Sequence, residues 1–223
     1  MIIFDGGSSS EDQVGRYRIL PYMKYLGYQK IQIAVISHMD IDHYSGIKEL
    51  LEMGKIKYLG LPEIPKDETM KKIIGIAKKR GTTIFYLSRG RQITTKDGSL
   101  KVLHPQKNSQ MEKNAASLVM QGKILGYRVL LTGDVEKEGE EELLSEELER
   151  ADILKAAHHG SKNSTSNEFL QKVQPKQTVI SCGKQNRYGH PHLETIHRLQ
   201  TYRTKIYRTD RSGAIIFFKR RDG

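Results

Sequence analysis

A chain of 223 residues, 37% hydrophobic and 28% charged, has the length for one large domain and the composition of a polar globular protein. No apolar stretch approaches the ~20 residues that span a bilayer, and the opening residues lack the basic and apolar regions of a signal peptide, so the chain reads as soluble, neither secreted nor membrane-inserted. A net charge of +11 favours polyanionic partners, and a single cysteine, Cys182, excludes an intrachain disulfide.

Apolar periodicity predicts strands and helices in alternation. Residues 2–4 read as a strand, 15–26 as a helix, 31–36 as a buried strand, 43–53 as a helix stopped by Gly54, and 56–61 as a strand. Asp67 reads as the N-cap of a helix in which Met70, Ile73, Ile74 and Ala77 recur at helical spacing and Gly81 is the stop. Residues 83–132 read as successive short strands at 83–86, 92–95, 100–104, 115–121 and 127–132, with a hairpin turn at 123–127. Alternation then returns: helix 136–148, strand 153–157, helix 168–173, strand 178–182, helix 193–202, and final strands 205–208 and 214–219. Cys182 ends an apolar run and reads as a small buried hydrophobe rather than a nucleophile. No repeat or linker interrupts the chain. The pattern predicts one α/β (α+β) domain over residues 1–223, two sheets between helix layers.

The chemistry-bearing residues gather in loops directly after apolar strands. The first cluster is His38-Met-Asp40-Ile-Asp42-His43, two imidazoles and two carboxylates within six residues. The second is Thr132-Gly-Asp134, the third His158-His159-Gly-Ser161, and the fourth Tyr188-Gly-His190-Pro-His192. Six of the eight histidines lie in these clusters, while His104 and His197 read as structural. Strand-end loops of α/β sheets converge on one crevice, and carboxylates with neutral imidazoles are donors that Zn²⁺ and Mn²⁺ accept together. The expected chemistry is metal-assisted hydrolysis. Residues 66–91 carry eight Lys/Arg against two acids, and residues 201–223 carry seven against two. Lys162, Lys184 and Arg187 flank the loops as phosphate-binding candidates, with Tyr188 as a candidate for base stacking.

H-x-D-x-D-H after a strand, then TGD, then HHGS, resembles the metallo-β-lactamase fold superfamily. Asp40 where the common motif has histidine, together with LLTGD, ILKAAHHGSKNSTS and NRYGHPHLETIHRL, resembles the C-terminal hydrolase-like domain of ComEC-type competence proteins. The resemblance runs from Asp5-Gly-Gly7 to the end of the chain. It implies a four-layer αββα sandwich, begun here about one strand pair late and so lacking its first N-terminal strand, and one or two divalent ions, Zn²⁺ or Mn²⁺. His38 and Asp40 match the first metal position, Asp42 and His43 the second, and Asp134 the bridging carboxylate.

The last ligand of the second position falls to His159 or His190, with His159 preferred. The strand before TGD supplies no third histidine, and Asn114 stands there as a weak oxygen ligand or hydrogen-bond donor. Asp42, His158 and His190 are the residues expected to take part in catalysis. Ser161, Lys162, Asn114, Lys184, Arg187, Tyr188 and His192 are expected near the substrate. The resemblance further implies a DNA nuclease or phosphodiesterase and, as partners, DNA and the membrane channel segments of a ComEC-type protein. The competing expectations are a small-molecule phosphodiesterase or ester hydrolase, and a non-catalytic DNA-binding module.

Overall fold

The computed structural model describes residues 1–219 apart from 112, 147 and 185. The chain falls into two compact units, Met1–Leu87 with Lys107–Lys113, and Ser88–Gln106 with Asn114–Gly223.

In the first unit β1 (Ile2–Phe4), β2 (Ile31–Val35), β3 (Ile56–Pro62) and β4 (Thr83–Leu87) form an all-parallel sheet in that order. Parallel neighbours need crossover connections. Here these are α1 (Leu20–Tyr25, entered through a π-helical turn Gly15–Ile19), α2 (Ile41–Glu52) and α3 (Glu68–Lys79). Helices on a parallel sheet leave little of it to water, so Ile31, Ala34 and Val35 of β2 are all buried. Leu50 and Leu51 of α2, Leu59 of β3 and Ile73 of α3 join them in one core, each such side chain contributing about 1.5–3 kcal/mol. The ends of α3 follow the expected chemistry: the Asp67 carboxylate accepts the Met70 N–H at 2.7 Å, and Gly81 leaves the helix with φ +70°.

In the second unit β5 (Gln92–Thr95), β6 (Gly98–His104), β7 (Val119–Ile124) and β8 (Tyr127–Leu131) form an antiparallel meander. β9 (Ile153–Lys155), β10 (Gln177–Ile180) and β11 (Lys205–Arg208) extend it with parallel pairing into a seven-stranded sheet. α4 (Lys137–Leu144), α5 (Asn167–Val173) and α6 (Leu193–Thr201) connect the parallel part. Leu130, Leu154, Phe169, Leu170 and Leu199 form its core, against which the half-buried Cys182 packs. Burial pushes the Cys182 thiol up to about 11, which suits a packing residue and not a nucleophile.

The mixed α/β architecture with two sheets is as expected, and three local expectations are corrected. The strand at 83–86 does not open the meander, because β4 pairs parallel with β3 and closes the first sheet. The strand expected from residue 115 begins at Val119, because the chain turns first through a 3-10 segment, Lys113–Ala116. No strand forms at 214–219: a short α7 (Thr209–Ser212) and Gly213 at φ +67° turn the chain after β11. Phe217 then packs its ring against Tyr127 and Tyr207 instead of joining a ladder.

Candidate functional site

The first unit presents its polar cluster where β1 and β2 end. Asp5 follows β1 with φ +58°, a left-handed conformation, and its carboxylate accepts three hydrogen bonds. The Ser37 N–H donates at 2.7 Å, the Ser37 hydroxyl at 2.8 Å and His43 Nδ1 at 2.9 Å. Burial alone would push the Asp5 carboxyl up, but the His43 charge and hydrogen bond, with His38 and Ser37 behind them, hold it below the usual range. An ionised carboxylate only accepts, so Nδ1 of His43 carries a proton, and in the neutral imidazole the lone pair stands on Nε2. The two glycines after Asp5 let the backbone reach α2: a Cβ on Gly7 would lie 2.5 Å from the Ile41 carbonyl oxygen, and one on Gly46 2.6 Å from that of Gly6. The Gly6 N–H and the His43 carbonyl are joined at 2.9 Å, which fixes Asp5 against the first turn of α2.

Asp40 occupies the N-cap position of α2 but makes no side-chain capping bond there. Aspartate at an N-cap ordinarily accepts an N–H of the first turn. Here its Oδ2 lies 3.7 Å from His38 Nε2. His38 is buried, with Nδ1 3.0 Å from the Ser37 hydroxyl, and its Nε2 is a buried polar atom without a hydrogen-bond partner among the described residues. The His38 and His43 rings lie 4.1 Å apart, and Asp42 stands in the first turn of α2. A cleft of about 400 Å³ opens beside His38 and Asp40, floored by Met39, Ile64, Pro65 and Met70.

The second unit presents its cluster where β8, β9 and β10 end. Asp134 is buried, with Oδ1 3.2 Å from Lys155 Nζ and Oδ2 3.1 Å from His159 Nε2. Lys155, on β9, also donates to the Gly133 carbonyl at 2.7 Å. His158, His159 and Gly160 are successively left-handed, at φ +45°, +52° and +84°. That turn separates the two imidazoles. His158 Nδ1 meets the Glu136 carboxylate at 2.8 Å, and His159 Nδ1 donates to the Ser181 carbonyl at 2.7 Å. A carbonyl cannot donate, so the His159 lone pair also stands on Nε2, the nitrogen turned to Asp134.

His190 packs its ring 5.3 Å from that of His158 and 4.8 Å from that of His192. Burial first, and then the charges of His158, His192 and His159, bring His190 down to about 4, leaving a neutral imidazole at pH 7. His192 Nδ1 accepts the Lys162 N–H at 3.1 Å. Tyr188 stacks on His190 and carries the Arg187 guanidinium 4.8 Å above its own ring. Lys162, Lys184 and Arg187 are exposed; Ser161 is buried and its Oγ accepts the Asn163 N–H. Asn114 lies in the turn before β7, its Oδ1 buried without a hydrogen-bond partner among the described residues.

Reading the sequence passed over Asp5, Glu136, Lys155 and Glu140. A polar residue between an apolar strand and Gly-Gly was a signal for Asp5. Glu136 occupies the N-cap position of α4, yet its side chain serves His158 and makes no cap. Nothing in the local pattern marked Lys155, whose partners come from the preceding strand end. His104 is structural as expected: fully buried, it donates Nδ1–H to the Ser117 carbonyl at 2.9 Å.

A family model described as the metallo-beta-lactamase superfamily matches residues 2–184. Among curated relatives, ComE operon protein 3 of Bacillus subtilis is 38% identical over 216 residues, spanning 94% of this chain and 27% of that protein. Competence protein ComA of Neisseria gonorrhoeae is 30% identical over 232 residues, spanning 100% of this chain and 30% of that protein. The chain thus spans between a quarter and a third of the length of these relatives. Among solved structures, the metallo-beta-lactamase fold protein YhfI of Bacillus subtilis aligns with a TM-score of 0.59 at 15% identity, covering 93% of this chain and 83% of that one, a likeness of fold.

Proposed function

The chain belongs to the metallo-β-lactamase superfamily, and from its donor groups we propose that it is a divalent-metal-dependent phosphodiesterase acting on DNA. Superfamily members bind divalent metals, and the residues present fit such an ion. The observation that carries the reading is a shared arrangement of two histidines. His43 and His159 each give Nδ1–H to an acceptor that cannot donate, Asp5 and the Ser181 carbonyl, and so each offers Nε2 as the ligating nitrogen. The buried Nε2 of His38 supports it, since a buried acceptor without a partner costs stability unless a ligand satisfies it.

The proposed ligands are His38, Asp40, Asp42, His43, Asp134 and His159. Three carboxylates among them make the set harder than an all-histidine site, which suits Mn²⁺ as well as Zn²⁺. When bound, a divalent cation supplies Lewis acidity and lowers the pKa of a coordinated water. The protein residues supply the rest. Lys155 holds the Asp134 carboxylate, Glu136 fixes the His158 ring, and His190 presents a neutral imidazole beside them. Exposed Lys162, Lys184 and Arg187 suit phosphate groups, and the net charge of +11 favours a polyanion over a neutral ester. One relative is a competence protein by name, which favours a DNA substrate over a small ester.

Metal content of the purified chain, followed by nuclease assays of Asp42→Ala and Asp134→Ala, tests this. DNA cleavage surviving both substitutions would overturn it. Metal-dependent turnover of a phosphodiester dye without DNA cleavage would favour a small-molecule substrate, and metal and DNA binding without any turnover would favour a binding module.

A further inference from the structure

The stretch 13–30 enters and leaves α1 and holds four of the eleven tyrosines, Tyr17, Tyr22, Tyr25 and Tyr28, with Arg16, Arg18, Lys24 and Lys30 between them and no acidic residue. All eight side chains are exposed, Tyr25 to 84% and Tyr17 to 62%. The Tyr22 and Tyr25 rings stand three residues apart on one helical face, 6.5 Å between centroids and 22° from parallel. Tyr17 and Tyr25 bury little area for the fold, Tyr22 and Tyr28 keep 45% and 43% of their surface open, and the helix packs inward through other side chains: Met23 is fully buried, and Ile19 and Leu20 pack on the first unit's core. Glu11, just before the stretch, reaches Arg18 at 3.8 Å with both side chains exposed, a pairing that leaves most of the positive field standing.

From this we infer a second DNA-binding element: the outer face of α1 and its flanks is a stacking strip for single-stranded DNA, its cations tracking the phosphates and its tyrosines taking unstacked bases. Flat rings at spaced intervals among cations is the arrangement that holds single strands without sequence readout. A duplex keeps its bases stacked and offers the rings nothing. A membrane surface fits less well, because an interfacial helix needs an apolar face to insert, and here Met23, Ile19 and Leu20 turn to the core and leave Leu26, 45% exposed, without such a face around it. The inference rests on the DNA reading above for its partner, but it places that partner on residues that take no part in the metal chemistry.

The test is fluorescence anisotropy with a labelled oligothymidylate and a duplex of equal length, on the whole chain. Tyr22→Ala with Tyr25→Ala weakens single-strand binding by about tenfold or more per ring and duplex binding far less. Tyr22→Phe with Tyr25→Phe retains the affinity, since the ring and not the hydroxyl does the stacking. Arg18→Glu with Lys24→Glu weakens binding of both and flattens its salt dependence. None of these changes turnover of bis-p-nitrophenyl phosphate. If wild-type protein fails to turn over that dye or cut DNA, yet the alanine pair still loses single-strand affinity selectively, the catalytic reading fails and this one stands. The inference is overturned if the wild type does not bind the oligonucleotide, if the alanine pair binds it within twofold of wild type, if single strand and duplex weaken equally, or if the substitutions abolish binding to phosphatidylglycerol vesicles while DNA binding is untouched.

Discussion

Asp5→Asn is the substitution that most directly probes how the site is held. The carboxylate accepts on Oδ1 from the Ser37 N–H and on Oδ2 from the Ser37 hydroxyl and His43 Nδ1, all at 2.7–2.9 Å. Asparagine keeps the shape and one acceptor oxygen, but its amide nitrogen must take the other position. If the oxygen stays on the Ser37 N–H, a donor faces Nδ1 of His43, and the imidazole has to move its proton to Nε2. That places a hydrogen on the nitrogen proposed to ligate. Hydrogen bonds to a charged group contribute about 1.5–3 kcal/mol each, and one such bond is lost outright, so stability falls by about 2 kcal/mol. Disturbing an orienting partner of this kind weakens metal affinity by about 10–100-fold. Competition of Mn²⁺ or Zn²⁺ against a fluorescent chelator reads the affinity, urea titration reads the stability, and the nitrogen chemical shifts of the His43 ring read the tautomer. A folded Asp5→Asn protein whose tautomer and metal affinity match the wild type would refute the reasoning.

Three further outcomes follow from the same contacts. His190 is held down to about 4 in the fold against an ordinary 6.5, so between those values the unfolded chain binds more protons; stability is lost as pH falls from about 6.5 to about 4, and His190→Gln removes that part of the slope in urea titrations at stepped pH. Glu140 is buried and accepts the Thr165 and Ser166 N–H groups, while burial pushes its carboxyl up. Glu140→Gln therefore costs about 1 kcal/mol, and Glu140→Ala, which leaves both N–H groups unsatisfied, about 3 kcal/mol, read by the same titration. Gly122 faces Leu100 across β6 and β7, and an added Cβ would lie 2.0 Å from the Ser99 carbonyl oxygen; Gly122→Ala lowers stability by about 2 kcal/mol or more through forced displacement of the ladder, and equal stability would contradict the pairing register.

The sequence was most readable where one physical signal governed. Apolar periodicity with a capping aspartate and a stop glycine located α3, and largely apolar runs, each broken by a single exposed polar residue (Gln32 and Lys57), located β2 and β3, because helices on a parallel sheet bury most of it. It was least readable where a strand's partner lies far along the chain. Thr83–Leu87 has the composition of any short strand, and only its pairing with β3 decides which sheet it joins. The apolar run 214–218 has the composition of a strand too, but it answers to ring contacts of Phe217 with Tyr127 and Tyr207. Among the candidate ligands, His38, His43 and His159 stood out because histidine is scarce and clustered, and Asp134 because Thr-Gly-Asp directly follows an apolar strand. Asp5, Glu136 and Lys155 were not, since each acts through a contact whose partner sits 21–38 positions away.

The left-handed residues of the two clusters indicate how the fold affords them. Asp5, His158 and His159 each occupy a conformation that costs a non-glycine residue on the order of 1–3 kcal/mol; Asp5 is proposed to orient a ligand, His159 to be one, and His158 to face the substrate. Such positions persist only where their surroundings over-determine them. Around Asp5 this is done by Gly6 and Gly7 lying directly on α2. Around the histidine pair it is done by the loop that follows. Arg198 donates to the carbonyls of Lys162, Ser164 and Thr165, Glu140 accepts the N–H groups of Thr165 and Ser166, and the Ser164 hydroxyl returns to the Ala157 carbonyl. With nearly every backbone group of residues 161–166 spoken for, the loop cannot relax and release the turn before it. The buried Glu140 and the half-buried Arg198 are therefore as much a part of the His158–His159 geometry as the two histidines, although neither belongs to the motif that first drew attention to this loop.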